Sequence, residues 1–428
     1  METERKNIAV VGSGISGLAA AWLLARRHRV TVFEAGPWVG GHTHTVDVKV
    51  HGREFPVDTG FLVFNDRTYP KLCALFDTLG VESVASDMSF SVSLRAPDIE
   101  WAGTNLSTVF GQRRNLFRPE FWRMVADIVR FNQASVRWLE KHCAESGPTL
   151  GAYLDAHGYS AAFRDWYLLP MAAAIWSCPT AQMLDYPLAT FVRFCRNHGL
   201  LSIDDRPQWR TVRGGGREYV SKLLADIPRV RTGTPVRAIC RGRCGVDLIT
   251  RHEHHVFDDV VLACHSDQAL ALLGETASPA ERQILGAVRY QPNRALLHTD
   301  ASLLPRDRKL WSAWNYLGDP PQKGAADSGS RPVSVSYLIN KLQPLPVSSP
   351  VIVTLNPSRP IDPTTLLGEF DYAHPVFDGP AIAAQHRLDL IQGFHGVWYC
   401  GAWTGYGFHE DGLKSGLRVA AALGCPAP

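Results

Sequence analysis

The sequence predicts an α/β fold built on a dinucleotide-binding unit of the Rossmann type. Three features near the N-terminus carry this expectation. Residues 7–11 are apolar and β-prone. The turn Gly12-Ser13-Gly14-Ile15-Ser16-Gly17 follows and opens an Ala- and Leu-rich helical stretch at 18–27. Residues 30–34 are β-branched and apolar, and end on the acid Glu34. Strand, glycine turn, helix and strand within about 30 residues, closed by a carboxylate, is the context that gives G-x-G-x-x-G its meaning.

Each part of the turn has a physical task. Gly12 makes the tight turn, Gly14 lets backbone approach a pyrophosphate, and Gly17 lets helix and strand pack closely. The helix N-terminus offers free amides and partial positive charge to phosphates. Glu34 is placed to accept hydrogen bonds from a ribose.

The rest of the chain bounds the answer. Its 428 residues are 45% apolar and 20% charged, an ordinary globular composition with room for about two or three domains. With 44 basic and 41 acidic residues the formal charge is +3, which gives no basis for nucleic-acid binding. The first residues, Met-Glu-Thr-Glu-Arg-Lys, lack the apolar core of an export signal. The longest apolar run, 167–176, contains Pro170 and is half of the ~20 residues a spanning helix needs. A cytoplasmic protein that does not cross a membrane is expected. The nine cysteines are odd in number and irregularly spaced, which fits free thiols. Cys240 and Cys244 lack a second pair, so no metal site is expected.

Further along, residues 117–143 read as amphipathic helix with Phe121, Val125, Ile128 and Val129 on one side. Arg113, Arg114, Arg118, Arg123 and Arg130 interleave there with Phe117, Phe121, Trp122 and Phe131. This is either a solvated helical face or a patch for a membrane surface or anionic substrate. A second glycine turn, Gly214-Gly215-Gly216, precedes another helix. Strands are expected at 230–239 and 259–263, and an exposed loop at 318–331.

Beyond the first turn, the run Ala35-Gly36-Pro37-Trp38-Val39-Gly40-Gly41-His42-Thr43 resembles the glycine doublet of FAD-dependent amine oxidases and phytoene-desaturase-like flavoproteins. Asp58-Thr59-Gly60-Phe61 resembles the family's next flavin-approaching element. At the far end, Tyr399-Cys400-Gly401-Ala402-Trp403-Thr404-Gly405 resembles its C-terminal flavin turn, followed by Glu410-Asp411-Gly412-Leu413, which opens the last helix. The resemblance implies FAD as cofactor and places Val236 against the adenine. It implies a Rossmann-type, amine-oxidase/glutathione-reductase-like FAD domain at 1–75, 205–270 and 390–428. An interleaved α+β substrate domain would occupy 76–204 and 271–389. Many relatives carry an acid directly after the glycine at position 401. This chain has Ala402, so Glu410 or Asp411 would have to serve the ribityl chain.

Segments such as Phe61–Asn65, Pro170–Ser177 and Ala402–Gly412 look more narrowly like the oxidoreductases fused to, or encoded beside, cyclopropane-fatty-acid synthases. That implies a lipid or other apolar substrate, a synthase-like partner and contact with a membrane surface. A flavin takes a hydride at N5, so the protein need only position a C–H bond and exclude water. Trp403, Tyr406 and Phe408 are candidates to wall the flavin. His298 and His409 are candidates to move protons, or else are structural histidines. Cys400 is a candidate flavin tether, or else a buried strand thiol. Three activities stay open: oxidation of an acyl chain, oxidation of a small amine, and a flavoprotein subunit serving a synthase.

Overall fold

The computed structural model describes residues 5–142, 147–201, 206–318 and 333–427. Cys143 and nearly all of the loop expected at 318–331 lie outside these residues. In chain order, the elements that build the site are β1 (Asn7–Val11), α1 (Ile15–Leu24), β2 (Arg29–Phe33), α2 (Pro70–Leu79), α3 (Pro119–Lys141), α4 (Leu188–Asn197), β3 (Asp259–Leu262), β4 (Arg289–His298), β5 (Leu366–Val376), β6 (Val397–Tyr399) and α5 (His409–Ala422).

Ile8, Ala9, Val10 and Val11 carry no polar side chain, so β1 can be covered on both faces. It pairs in parallel with β2 on one side and β3 on the other. Val230–Arg231 and β6 complete a five-stranded parallel sheet. All ten residues of α1 are buried, since Leu, Ala and Trp occupy nearly every turn. On one side α1 meets α5 at backbone distance: a Cβ on Gly416 would lie 2.2 Å from the Ser16 carbonyl oxygen. The sheet thus gathers strands from the N-terminal segment, from 230–262 and from 397–399.

The second region is a seven-stranded sheet in the order β5, β4, Ile352–Leu355, Ser334–Leu338, Trp314–Gly318, Phe90–Arg95, Asp98–Ala102. Its pairings are antiparallel except between Trp314–Gly318 and Phe90–Arg95. A helical layer with an aromatic core packs beside it, holding Phe131, Phe163, Trp176, Phe191 and Phe194. The apolar run at 167–176 ends in a buried eight-residue helix, Leu169–Trp176, with Pro170 in its first turn. Among the described residues no helix is long and apolar enough to cross a membrane.

Helix α3 is a single 23-residue helix burying Phe121, Met124, Asp127, Phe131, Ser135 and Leu139. That stripe, at spacings of three and four, leaves Val129 outside it and exposed, contrary to the sequence expectation. Phe121 and Phe131 are core residues, so of the aromatics interleaved with arginines only Phe117 and Trp122 face solvent. Arg114 pairs with Asp98 and Arg130 with Asp127. Arg118 donates to the Asp98 carbonyl.

Candidate functional site

A cavity of about 710 Å³ runs between the two regions, within the size range of small-molecule and cofactor sites. Its first end is made of backbone. Gly12 has φ +103°, and a Cβ there would sit 2.6 Å from the Ala263 carbonyl oxygen. A Cβ on Gly17 would fall 2.0 Å from the Gly12 oxygen, so strand, turn and helix meet only without side chains. Gly14 differs. A Cβ there meets no protein atom within 4 Å, because the position faces the cavity. No side chain caps α1, whose first turn carries no acid. The N-terminus therefore presents its amides and dipole to whatever binds. Glu34 lines the cavity while its oxygens accept from Ser13 N (3.0 Å), Ser13 Oγ (2.5 Å) and Gly36 N (2.8 Å). A carboxylate has about four lone-pair sites, so capacity for a ribose hydroxyl remains. Open space at Gly14 and an uncapped helix end fit a dinucleotide pyrophosphate.

Most of the expected cofactor residues line this cavity. From the N-terminal segments come Gly12, Gly14, Ile15, Ser16, Glu34 and Ala35, then Gly40, Gly41, His42, Thr59, Gly60 and Phe61. Val236, Gly401, Ala402, Trp403 and His409 join them from far along the chain. Gly17 is a packing residue, as is Leu413, which lies in the core between α1 and α5. A Cβ on Gly412 would lie 2.9 Å from Ile15 Cγ2. Thr43 stands behind the wall, 2.5 Å from the Tyr219 hydroxyl.

Neither acid after Ala402 turns inward. Glu410 accepts from Lys71 N and Leu72 N at the start of α2 (3.0 and 2.9 Å), which its charge stabilises. Asp411 accepts from the amides of Tyr406 and Phe408 (3.0 and 3.1 Å). The structure assigns both to holding loops. Tyr406 packs against the helical layer 6.0 Å from Phe194, and Cys400 is in the core. Neither lines the cavity.

His298 is one residue out of phase with the cavity. Side chains alternate along a strand: Ala295 and Leu297 join the core beneath the cavity wall, and His298 faces the other way. There its Nε2 lies 2.8 Å from Thr354 Oγ1, and its Nδ1 accepts from Asp300 N (3.1 Å). Burial pushes its pKa down to about 4. A satisfied, buried, neutral imidazole on the far face is a structural residue.

No Lys or Arg lines the cavity among the described residues, and Glu34 is the sole acid. Basic character rests on five histidines, at 42, 198, 265, 374 and 409. Burial lowers the pKa of all five: to about 4 for His198 and His374, to about 3 for His409, and well below the ordinary value for His42, where nearby histidines add to the effect. His409 stacks on Phe61 with ring centroids 3.8 Å apart and meets the Tyr219 hydroxyl at 2.7 Å. His42 Nε2 is buried without a protein partner.

The second end is made of side chains. Phe194 stacks on His198 (3.9 Å) and on Phe408 (4.9 Å), and Trp209 continues the wall 6.4 Å from His198. Met88, Ile175, Trp314, Tyr337 and Leu355 close the chamber. Phe408 is one of the wall residues expected from the sequence, and Ile175 falls in the segment Pro170–Ser177; the residues come from well-separated segments.

Comparison with known proteins agrees with this architecture. Residues 10–79 match the model of an NAD(P)-binding Rossmann-like domain. A carotenoid phi-ring synthase of Chlorobaculum tepidum is 27% identical over 299 residues, 66% of this chain and 43% of that protein. The chain therefore spans less than half the length of that relative. A putative protoporphyrinogen oxidase from Exiguobacterium superposes with a TM-score of 0.68 at 16% identity, covering 98% and 99% of the two chains. A CLA-producing fatty acid isomerase from P. acnes gives 0.65 at 16% identity, with 97% and 98% coverage. Cyclohexylamine oxidase from Brevibacterium oxydans also gives 0.65 at 16%, with 98% and 100% coverage. At these identities the likeness carries the fold: the chain has the fold shared by amine-oxidase-type proteins along nearly its whole length.

Proposed function

We propose that the protein is an FAD-dependent oxidoreductase that takes a hydride from an apolar substrate, with an unsaturated or modified acyl chain as the favoured class. The carrying observation is the continuity of a glycine-lined dinucleotide end with an aromatic chamber that offers no carboxylate. A bound flavin supplies the hydride acceptor. The chain's own residues do the rest. The α1 N-terminus and Glu34 hold the dinucleotide, Phe61 and Trp403 wall it, and Phe194, Trp209 and Phe408 orient the substrate and exclude water. An amine oxidase would join its aromatic cage to carboxylates at the site mouth, and no carboxylate lines the chamber among the described residues. A cavity that runs unbroken into the chamber also argues against a cofactor kept only for assembly. Resemblance to oxidoreductases encoded beside cyclopropane-fatty-acid synthases agrees with an acyl chain. Phe117, 85% exposed, and Trp122 lie beside Arg113 and Arg123, a combination suited to a head-group surface.

The test is anaerobic. Purified protein should be yellow and release FAD on denaturation. Its absorbance should bleach with unsaturated or methyl-branched acyl lipids, faster in anionic than in neutral vesicles. A folded, colourless protein that ignores FAD would refute the cofactor. Fast bleaching by a soluble amine, with no preference for anionic vesicles, would replace the acyl substrate by an amine.

A further inference from the structure

His374 lies on β5 opposite Gln291 of β4. Its ring lines the cavity beside the Gly40–His42 loop, 5.2 Å from the His42 ring. Its tautomer is set by a relay of two amides. The backbone N–H of Arg294 donates to Asn356 Oδ1 (2.9 Å), which fixes the orientation of that amide. Asn356 Nδ2 then donates to Asn293 Oδ1 (2.6 Å) and to the Val333 carbonyl (3.1 Å). Asn293, fixed in turn, uses its Nδ2 for the Gln291 carbonyl (3.1 Å) and for Nδ1 of His374 (2.9 Å). Inverting either amide would set like against like at several contacts. Nδ1 is thus an acceptor, and the ring proton resides on Nε2.

The relay is held firmly. Asn293 is 2% exposed. Asn356 keeps φ +44°, a left-handed conformation that Asn tolerates better than most residues. With no Lys or Arg on the cavity wall among the described residues, donors to an electron-rich ligand must be backbone amides or neutral side chains. An N–H whose direction is fixed beforehand needs no reorganisation on binding. The unpartnered, buried His42 Nε2 beside it is a second polar atom awaiting a ligand.

We propose that His374 is a tautomer-locked N–H donor to an acceptor atom of the bound flavin cofactor, with Asn293 and Asn356 as its positioning residues. This rests on the FAD binding proposed above.

The test uses the full chain as wild type, His374→Leu, His374→Gln and Asn293→Leu. Nitrogen-15 NMR of the histidine-labelled apoprotein should show, besides His28 and His298, whose Nδ1 also accepts from a backbone N–H, a further imidazole locked with its proton on Nε2. That signal should vanish in His374→Leu and become a tautomer mixture in Asn293→Leu. FAD affinity, followed by quenching of flavin fluorescence, should fall roughly tenfold or more in His374→Leu and recover in part in His374→Gln. The visible bands of the bound flavin should shift in both His374→Leu and Asn293→Leu. If His374→Leu does not fold, His374→Gln and Asn293→Leu carry the spectral and tautomer readouts. Equal affinity and spectrum in every variant, while wild type binds FAD, would overturn the role of His374 alone. Failure of wild type to bind FAD would overturn the function itself.

Discussion

At one end of the cavity a ligand meets backbone; at the other it meets rings. The dinucleotide end is shaped by glycines whose missing side chains let strands, helices and ligand approach, and by amides at the start of α1. The chamber end is shaped by Phe194, His198, Trp209 and Phe408, set on separate elements and stacked on one another. A backbone site depends on a short local pattern and tolerates little change. A side-chain site depends on tertiary packing and can be altered one ring at a time, so it is the half free to set substrate choice.

The comparison can be broken in several places. The largest effect should come from deleting residues 398–428, which removes most of β6 and all of α5, a sheet edge and the helix packed on α1. Insoluble or flavin-free protein is expected, and a stable truncation with full FAD content would show that the two ends do not depend on one scaffold. Next is Gly14→Val. Because a Cβ there points into open cavity, the apoprotein should fold while FAD binding falls beyond the reach of a fluorescence titration. Gly17→Ala, by contrast, should lower the melting temperature itself.

Acidification is the third probe. His42, His44, His198, His265, His298, His374 and His409 have folded pKa values below 6.5. Between about 4 and 6.5 the unfolded chain therefore binds protons that the folded chain refuses. Their contribution to stability is intact above pH 6.5 and drains as pH falls. Asp58 and Asp411, both raised by burial to about 6, and Asp165, also raised by burial, act in the opposite sense but are three against seven. The urea midpoint of the apoprotein should fall steadily from pH 7 to pH 5, and a flat profile would contradict the neutral-histidine cavity.

Phe194→Ala should cost about 3 kcal/mol of stability in urea unfolding while leaving FAD affinity intact. A comparable loss of FAD would mean that the chamber also holds the cofactor. The smallest change should be Glu34→Ala, which weakens FAD binding by about 2 kcal/mol, because Ser13 and Gly36 lose their acceptor along with the ribose.

The sequence was most readable where local rules suffice. The turn from Gly12 to Gly17 and the acid at Glu34 declare β1, α1 and β2 because the pattern is compact in sequence: Gly17 meets the Gly12 oxygen and Glu34 accepts from Ser13, while the contacts with Ala263 lie far along the chain. The turn at Gly401 was readable for the same reason. His298 was misplaced because its strand was legible but its phase was not. Leu297 and His298 differ only in which face the seven-stranded sheet covers, and that depends on partner strands far along the chain. His374 carries no motif at all. Its significance comes from Asn293 and Asn356, which meet only once three strands have paired. Glu410 and Asp411 had the right charge in the right segment, yet nearby unpaired amides claimed them first.

The approach of α5 to α1 also sets a schedule. Helix α1 is complete at Leu24, whereas α5 begins only at His409. At ribosomal speeds of about 5–20 residues per second, α1 waits roughly 20–80 s for its partner helix. Its surface, apolar but for Ser16, must be shielded meanwhile by β1, β2 and transient contacts. Until α5 emerges, the nascent chain therefore exposes apolar surface prone to aggregation. Cofactor capture, which needs Gly14 and Ala402 together, has to wait until the segment carrying Ala402 has been made.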